Sequence, residues 1–185
     1  MRKFKKALIT GICGSGGSYL AEHIINNQPK VKVFGLYRKL RPKNIRLIKK
    51  NSILIKCDMN NFKDLFFNLK KVKPDVIFHI ASDADVRKSF DEPMSFINNN
   101  NNITLNLLEA ARRLKLKSVI QICSTSEVYG QVKKNEVPIR ENNPMRPASP
   151  YAVSKAFQDL CSQNYQKNYG LNIIITRMFT YLNPR

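Results

Sequence analysis

Six short apolar runs recur along this chain, and amphipathic stretches long enough for helices lie between most of them. Parallel strands need a crossover between them, and a helix is the usual one, so the alternation points to βαβ units around a parallel sheet. Residues 7–12, 31–36, 52–55, 76–80, 118–123 and 172–179 read as strands; 18–27, 61–71, 103–114 and 151–169 read as helices. The last helix meets Gly170, the residue type most common just past a helix C-terminus. The fold class that follows is α/β, a doubly wound parallel sheet. Residues 130–150, with prolines at 138, 144, 147 and 150, read as a long ordered loop, and a loop of that length inside a compact domain is usually functional.

A chain of 185 residues can bury one sizeable core. Its last segment directly follows a strand, so no separate substrate lobe is expected. No apolar run approaches the ~20 residues of a membrane span. The start, Met1 to Thr10, faintly imitates a signal peptide, but its apolar stretch is very short and enters glycines with no small-residue cleavage site. A cytoplasmic protein without a membrane partner is therefore expected. Cys13, Cys57, Cys123 and Cys161 are widely spaced and, with His23 and His79, form no metal-binding spacing, so reduced, mostly buried thiols are expected.

The net charge of +19 is unusual. Arg38, Lys39, Arg41, Lys43, Arg46, Lys49 and Lys50 fall within one short segment. A polyanionic partner such as nucleic acid would suit that charge. So would a genome rich in Lys, Asn and Ile codons that leaves a solvated basic face. The asparagine run at 98–102 and the seven glycines favour codon bias, and nucleic acid is not the expected partner. A polyanionic small ligand would also benefit from the field.

Thr10-Gly11-Ile12-Cys13-Gly14-Ser15-Gly16-Gly17 follows a predicted strand and opens a predicted helix, the context that makes a glycine-rich motif credible. Gly11 and Gly14 permit the tight turn, Gly17 permits close helix–strand packing, and a pyrophosphate would rest on Ser15, Gly16 and the helix N-terminus. Dinucleotide binding is expected. At the end of the second strand, 21 positions beyond Gly17, stands Arg38 where an NAD site usually carries a carboxylate. A guanidinium suits a 2′-phosphate, which favours NADP over NAD unless Arg38 is surface charge. Asp58, beside Met59 after the third strand, either accepts from the adenine amino group or caps a helix.

Tyr151 and Lys155 lie four apart on a predicted helix, so both project from one face. An ammonium beside a tyrosine stabilises the phenolate and makes the group usable in proton transfer near neutral pH. Ser124-Thr125-Ser126-Glu127-Val128-Tyr129-Gly130 follows the fifth strand at its carboxyl end, where ligands bind in open α/β sheets. Thr125 and Glu127 are placed there for a substrate, or the segment is a capping turn.

These motifs, with His79-Ile80-Ala81-Ser82 and the Asn99-Asn100 pair before Thr104-Leu105-Asn106-Leu107-Leu108-Glu109-Ala110, resemble the extended short-chain dehydrogenase/reductase family along essentially the whole chain. Within it the sequence is most similar to the GDP-mannose 4,6-dehydratase subfamily, through Ala7–Gly11, Gly17–Glu22, Ser124–Gly130 and Arg146–Lys155. The resemblance implies a Rossmann fold over 1–185, an NAD(P)-binding domain whose C-terminal substrate domain is absent or truncated. It implies a nucleotide-sugar substrate such as GDP-mannose, NADP as cofactor, and a homo-oligomer. It adds Ala81 to the residues expected at the cofactor. Tyr151 would take the sugar 4-hydroxyl proton as hydride leaves C4. Lys155 would hold the nicotinamide ribose, Thr125 would bond the 4-oxygen, and Glu127 would remove the C5 proton before water leaves from C6. Asp83-Ala84-Asp85-Val86 and Thr180-Tyr181 depart from the subfamily's pattern around the sugar. A GDP-4-keto-6-deoxymannose reductase, a sugar-nucleotide epimerase, and a truncated non-catalytic nucleotide-binding protein with a basic partner surface are the competing expectations.

Overall fold

The structure, a computed structural model, describes residues 4–180. Six strands, β1 (Lys6–Thr10), β2 (Lys32–Tyr37), β3 (Ser52–Lys56), β4 (Val76–His79), β5 (Val119–Thr125) and β6 (Asn172–Met178), form one parallel sheet in the order β3-β2-β1-β4-β5-β6. Six helices accompany them: α1 (Ser15–Asn27), α2 (Pro42–Ile45), α3 (Phe62–Val72), α4 (Val86–Asp91), α5 (Pro93–Arg113) and α6 (Pro150–Tyr169). The sheet is doubly wound, as the alternation of apolar and amphipathic segments predicts.

Strand periodicity builds two cores. Leu8 of β1 joins Leu36, Ile77, Ile120 and Ile173 against Leu65 and Leu69 of α3 and Leu107 and Leu108 of α5. Its neighbours Ala7 and Ile9 point to the opposite face, where Val33 and Val76 meet Ala21 and Ile24 of α1 and Ile45 of α2. Alternation of side chains along a strand is the cause.

Boundaries differ from expectation where packing overrides local pattern. Helix α5 begins at Pro93, so the asparagine run lies inside it rather than before it. Asparagine is a weak helix former, but Phe96, Asn100, Ile103 and Leu107 make one buried stripe, and that burial carries the helix through the run. Asn61 caps α3, its side chain accepting from the Asp64 N–H at 3.2 Å. Ser149 caps α6, accepting from Ala152 N–H at 3.0 Å, with Pro150 at the first helical position. The segment between β5 and α6 is ordered by a bidentate Arg146–Glu136 pair at 2.7 and 2.8 Å. No residue from 130 to 150 lines the cleft described below. No helix among the described residues is long and apolar enough to cross a membrane.

Candidate active site

Strands β1 and β4 are neighbours whose connections leave for opposite faces of the sheet, and a crevice opens at their carboxyl ends. The cleft there has a volume of about 950 Å³. One end is the turn from β1 into α1. Gly11 has φ +69°, and a Cβ on it would lie 2.9 Å from the Ala81 Cα, so a side chain is excluded twice over. A Cβ on Gly17 would strike the Gly11 carbonyl oxygen and come within 2.9 Å of the Ile12 Cα. The loop closes through Gly14 N–H donating to Gly11 O at 2.8 Å. Gly11, Gly14, Ser15, Gly16 and Gly17 all line the cleft. The open backbone and the N-terminus of a 13-residue helix fit a dinucleotide pyrophosphate.

Along the same wall stand Arg38 at the end of β2, Asp58 and the buried Met59 after β3, and Ala81 after β4. Asp58 does not cap α3; its Oδ1 accepts from the Asn60 N–H at 3.0 Å and the residue is exposed to the cleft. Asn99 of α5 bridges this region, its Oδ1 accepting from Arg38 Nη1 at 3.3 Å and Asn60 Nδ2 at 3.0 Å. Asn60 and Arg41 were invisible as cleft residues in the sequence, since one follows an ordinary turn and the other sits in the basic run.

The far end holds Thr125, Glu127, Tyr151 and Lys155, all of which line the cleft. Thr125 is the last residue of β5 and its hydroxyl accepts from Glu127 N–H at 3.3 Å. That bond sets a 3₁₀ turn over Ser126–Tyr129 which leaves Glu127 exposed. The capping and cleft-lining readings of this segment thus coexist. Tyr151, in the first turn of α6, is largely buried; Lys155, one turn on, has its Nζ 5.8 Å from the Tyr151 ring centroid and donates to the Cys123 carbonyl at 2.8 Å. Burial lowers the Lys155 amine to about 8. Ser124, buried beside Thr125, has a side-chain oxygen with no partner among the described residues. Asp85, one of the departures from the subfamily pattern, caps α4 by accepting from Lys88 N–H at 3.0 Å. Tyr181 of the other departure lies outside the described residues.

The four cysteines are unpaired, and burial pushes the Cys57 thiol up to about 12. Among the described residues no group of three or more His, Cys, Asp or Glu could hold a metal ion.

A GDP-mannose 4,6-dehydratase of Yersinia enterocolitica is 34% identical over 193 residues, which cover 98% of this chain and 51% of that protein. The chain spans about half the length of the curated relatives it matches. Two solved structures share its architecture. UDP-glucose 4-epimerase of Thermus thermophilus, in complex with NAD, superimposes with a TM-score of 0.82 at 28% identity, covering 93% of this chain and 54% of that one. The dTDP-glucose 4,6-dehydratase of Streptomyces venezuelae, with NAD and TYD bound, gives 0.83 at 29%, covering 93% and 55%. These structures overturn the expected preference for NADP over NAD, since the dinucleotide in both is NAD. The physical reason lies in Arg38, which is exposed and hydrogen-bonded to Asn99, so a guanidinium at this strand end does not by itself require a 2′-phosphate. The family described as GDP-mannose 4,6 dehydratase matches residues 8–185, and with this fold and these relatives the chain belongs to that family, within the NAD(P)-binding epimerases and dehydratases of the extended short-chain dehydrogenase/reductase type.

Proposed function

We propose that this chain carries the cofactor-binding and proton-transfer residues of a sugar-nucleotide 4,6-dehydratase that uses NAD. The observation behind the reading is that Thr125, Glu127, Tyr151 and Lys155 line one end of the cleft whose other end is the glycine loop. Bound NAD supplies the hydride acceptor and donor. Tyr151 takes the proton of the sugar 4-hydroxyl, and the Lys155 ammonium beside its ring stabilises the phenolate. The Thr125 hydroxyl bonds the 4-oxygen. Glu127, open to the cleft, takes the C5 proton, which an adjacent C4 ketone makes acidic, and passes it to the C6 hydroxyl, which leaves as water; as hydride returns to C6, Tyr151 gives its proton to C5. A simple inversion at C4 needs no carboxylate at Glu127, so this residue favours elimination. GDP-mannose is the first substrate to test, given the similarity to the Yersinia dehydratase.

A sugar-nucleotide 4-epimerase is the second reading, favoured by the superposition on the Thermus enzyme. The two separate when the protein is incubated with NAD and, in turn, GDP-mannose, dTDP-glucose and UDP-glucose, with products followed by mass spectrometry and NMR. A dehydratase releases one water, and Glu127→Gln stops that release by at least ~100-fold while C4 oxidation persists. Inversion at C4 without loss of water would establish the epimerase instead. Calorimetric titration with NAD, run first, tests the cofactor half independently.

A further inference from the structure

A line of buried polar side chains crosses the molecule beneath the cleft. Thr10 of β1, His79 of β4, Asn100 and Thr104 of α5, and Ser154 and Gln158 of α6 are each no more than 1% exposed. Counting donors and acceptors along this line leaves one arrangement of protons.

The Thr10 hydroxyl oxygen accepts from the backbone N–H groups of Ile80 and Ala81, both at 3.1 Å. Those two bonds fill its lone pairs, so its own proton points to His79 Nδ1 at 3.0 Å. Nδ1 is therefore an acceptor. His79 Nε2 lies 2.9 Å from the Thr104 hydroxyl, which donates its own proton to the Asn100 carbonyl at 3.0 Å. With that proton spent, Thr104 accepts, and Nε2 must carry the hydrogen. The opposite tautomer would give Thr10 three donors for two lone pairs and ask one Thr104 proton to serve two acceptors. A doubly protonated ring fails at Thr10 for the same reason. Burial and the Lys155 ammonium on α6 push the imidazole down to about 3, in agreement with the geometry.

Both ends of the line reach the cleft. Ala81, held by Thr10, packs against the Gly11 backbone. Asn100 donates to Ser154 Oγ at 2.9 Å, and Ser154 donates to the Tyr151 carbonyl at 2.7 Å. Gln158 donates to the Asn100 carbonyl at 3.1 Å, and also to Thr104 Oγ1.

We propose that His79 is a positioning residue, held as a neutral ring protonated on Nε2, which ties the strand ends beneath the glycine loop to the helix that carries Tyr151 and Lys155. The inference is independent of which reaction the cleft performs.

The test is NMR of protein labelled with ¹⁵N in its imidazoles. The chain has two histidines, and His23→Gln, at an exposed position of α1, leaves one ring to observe. The expected spectrum shows a one-bond proton coupling on Nε2 and none on Nδ1, unchanged from pH 8 to pH 5. Thr104→Ser keeps the acceptor and leaves the ring signals in place. Thr104→Val has nearly the same shape but no acceptor, so the Nε2 proton moves upfield and exchanges faster. In the same variant the backbone amides of Ile80 and Ala81 shift, and so do those of Ser154 and Lys155. A wild-type ring protonated on Nδ1, or doubly protonated within that pH range, would overturn the proposal. So would Thr104→Val shifts confined to one side of His79. If Thr104→Val does not fold, the wild-type ring and Thr104→Ser decide the matter.

Discussion

Lys155 shows how a side chain can be legible in sequence while its energetics are not. The spacing from Tyr151 places the two residues on one helical face; only the fold shows the ammonium enclosed against the Cys123 carbonyl. Burial depresses its pKa from 10.5 to about 8. Between those values the unfolded chain binds a proton that the folded chain has lost, so this group's contribution to stability rises with pH across the window. Below pH ~8 the folded state carries the buried charge in full. Lys155→Met removes that penalty and also the bond to Cys123, for a net gain of about 1–2 kcal/mol at pH 7. Urea denaturation of both proteins at pH 7 and pH 10.5 checks this. The gain should shrink toward the higher pH, and a gain that instead grows would refute the buried-charge account. His79 is the stronger case of illegibility. In the sequence it is one residue of a strand-end motif, and its partners lie 69 and 25 positions away.

At the scale of single elements, two ends of the same site are built by different physics. The α1 start depends on contact without a side chain, since Gly17 backs directly onto the Gly11 carbonyl. The α6 start depends on a cap, Ser149, and a proline with no N–H to leave unsatisfied. Ser149→Ala should therefore cost about 1 kcal/mol and leave NAD binding within about twofold of wild type. Gly17→Ala should cost roughly 1–3 kcal/mol from overpacking and weaken NAD binding by more than tenfold. Thermal melts and calorimetric titration of the two variants make the comparison; equal effects on affinity would mean that the loop does not bear the cofactor. Local signals marked both helices because Gly, Ser and Pro act through their immediate neighbours. The start of α5 was illegible because the helix is carried through the asparagine run by the burial of Phe96, Asn100 and Ile103 and by the Asn100 bond to Ser154 of α6, which no local rule detects.

Across the whole molecule, Arg177 of β6 joins three segments far apart in sequence. It meets Asp159 of α6 at 2.7 and 3.1 Å, the Tyr129 hydroxyl at 2.7 Å and the Glu141 carbonyl at 2.7 Å. Asp159 is fully buried, so removing its partner strands a charge. Arg177→Met should cost about 3–5 kcal/mol, whereas Arg177→Met with Asp159→Leu should recover most of that loss. A double variant no more stable than the single one in urea would show that the pair is not what holds these segments. The sequence by itself determined the succession of the six strands and of the four long helices, and the glycine turn, because periodicity, capping and turn chemistry are properties of neighbours along the chain. The tertiary structure alone decided which distant residues share a proton or a charge. The Thr10–His79–Thr104 line, the Asn99 bridge and the Arg177–Asp159 pair depend on which elements the sheet order brings together and on how completely water is excluded between them.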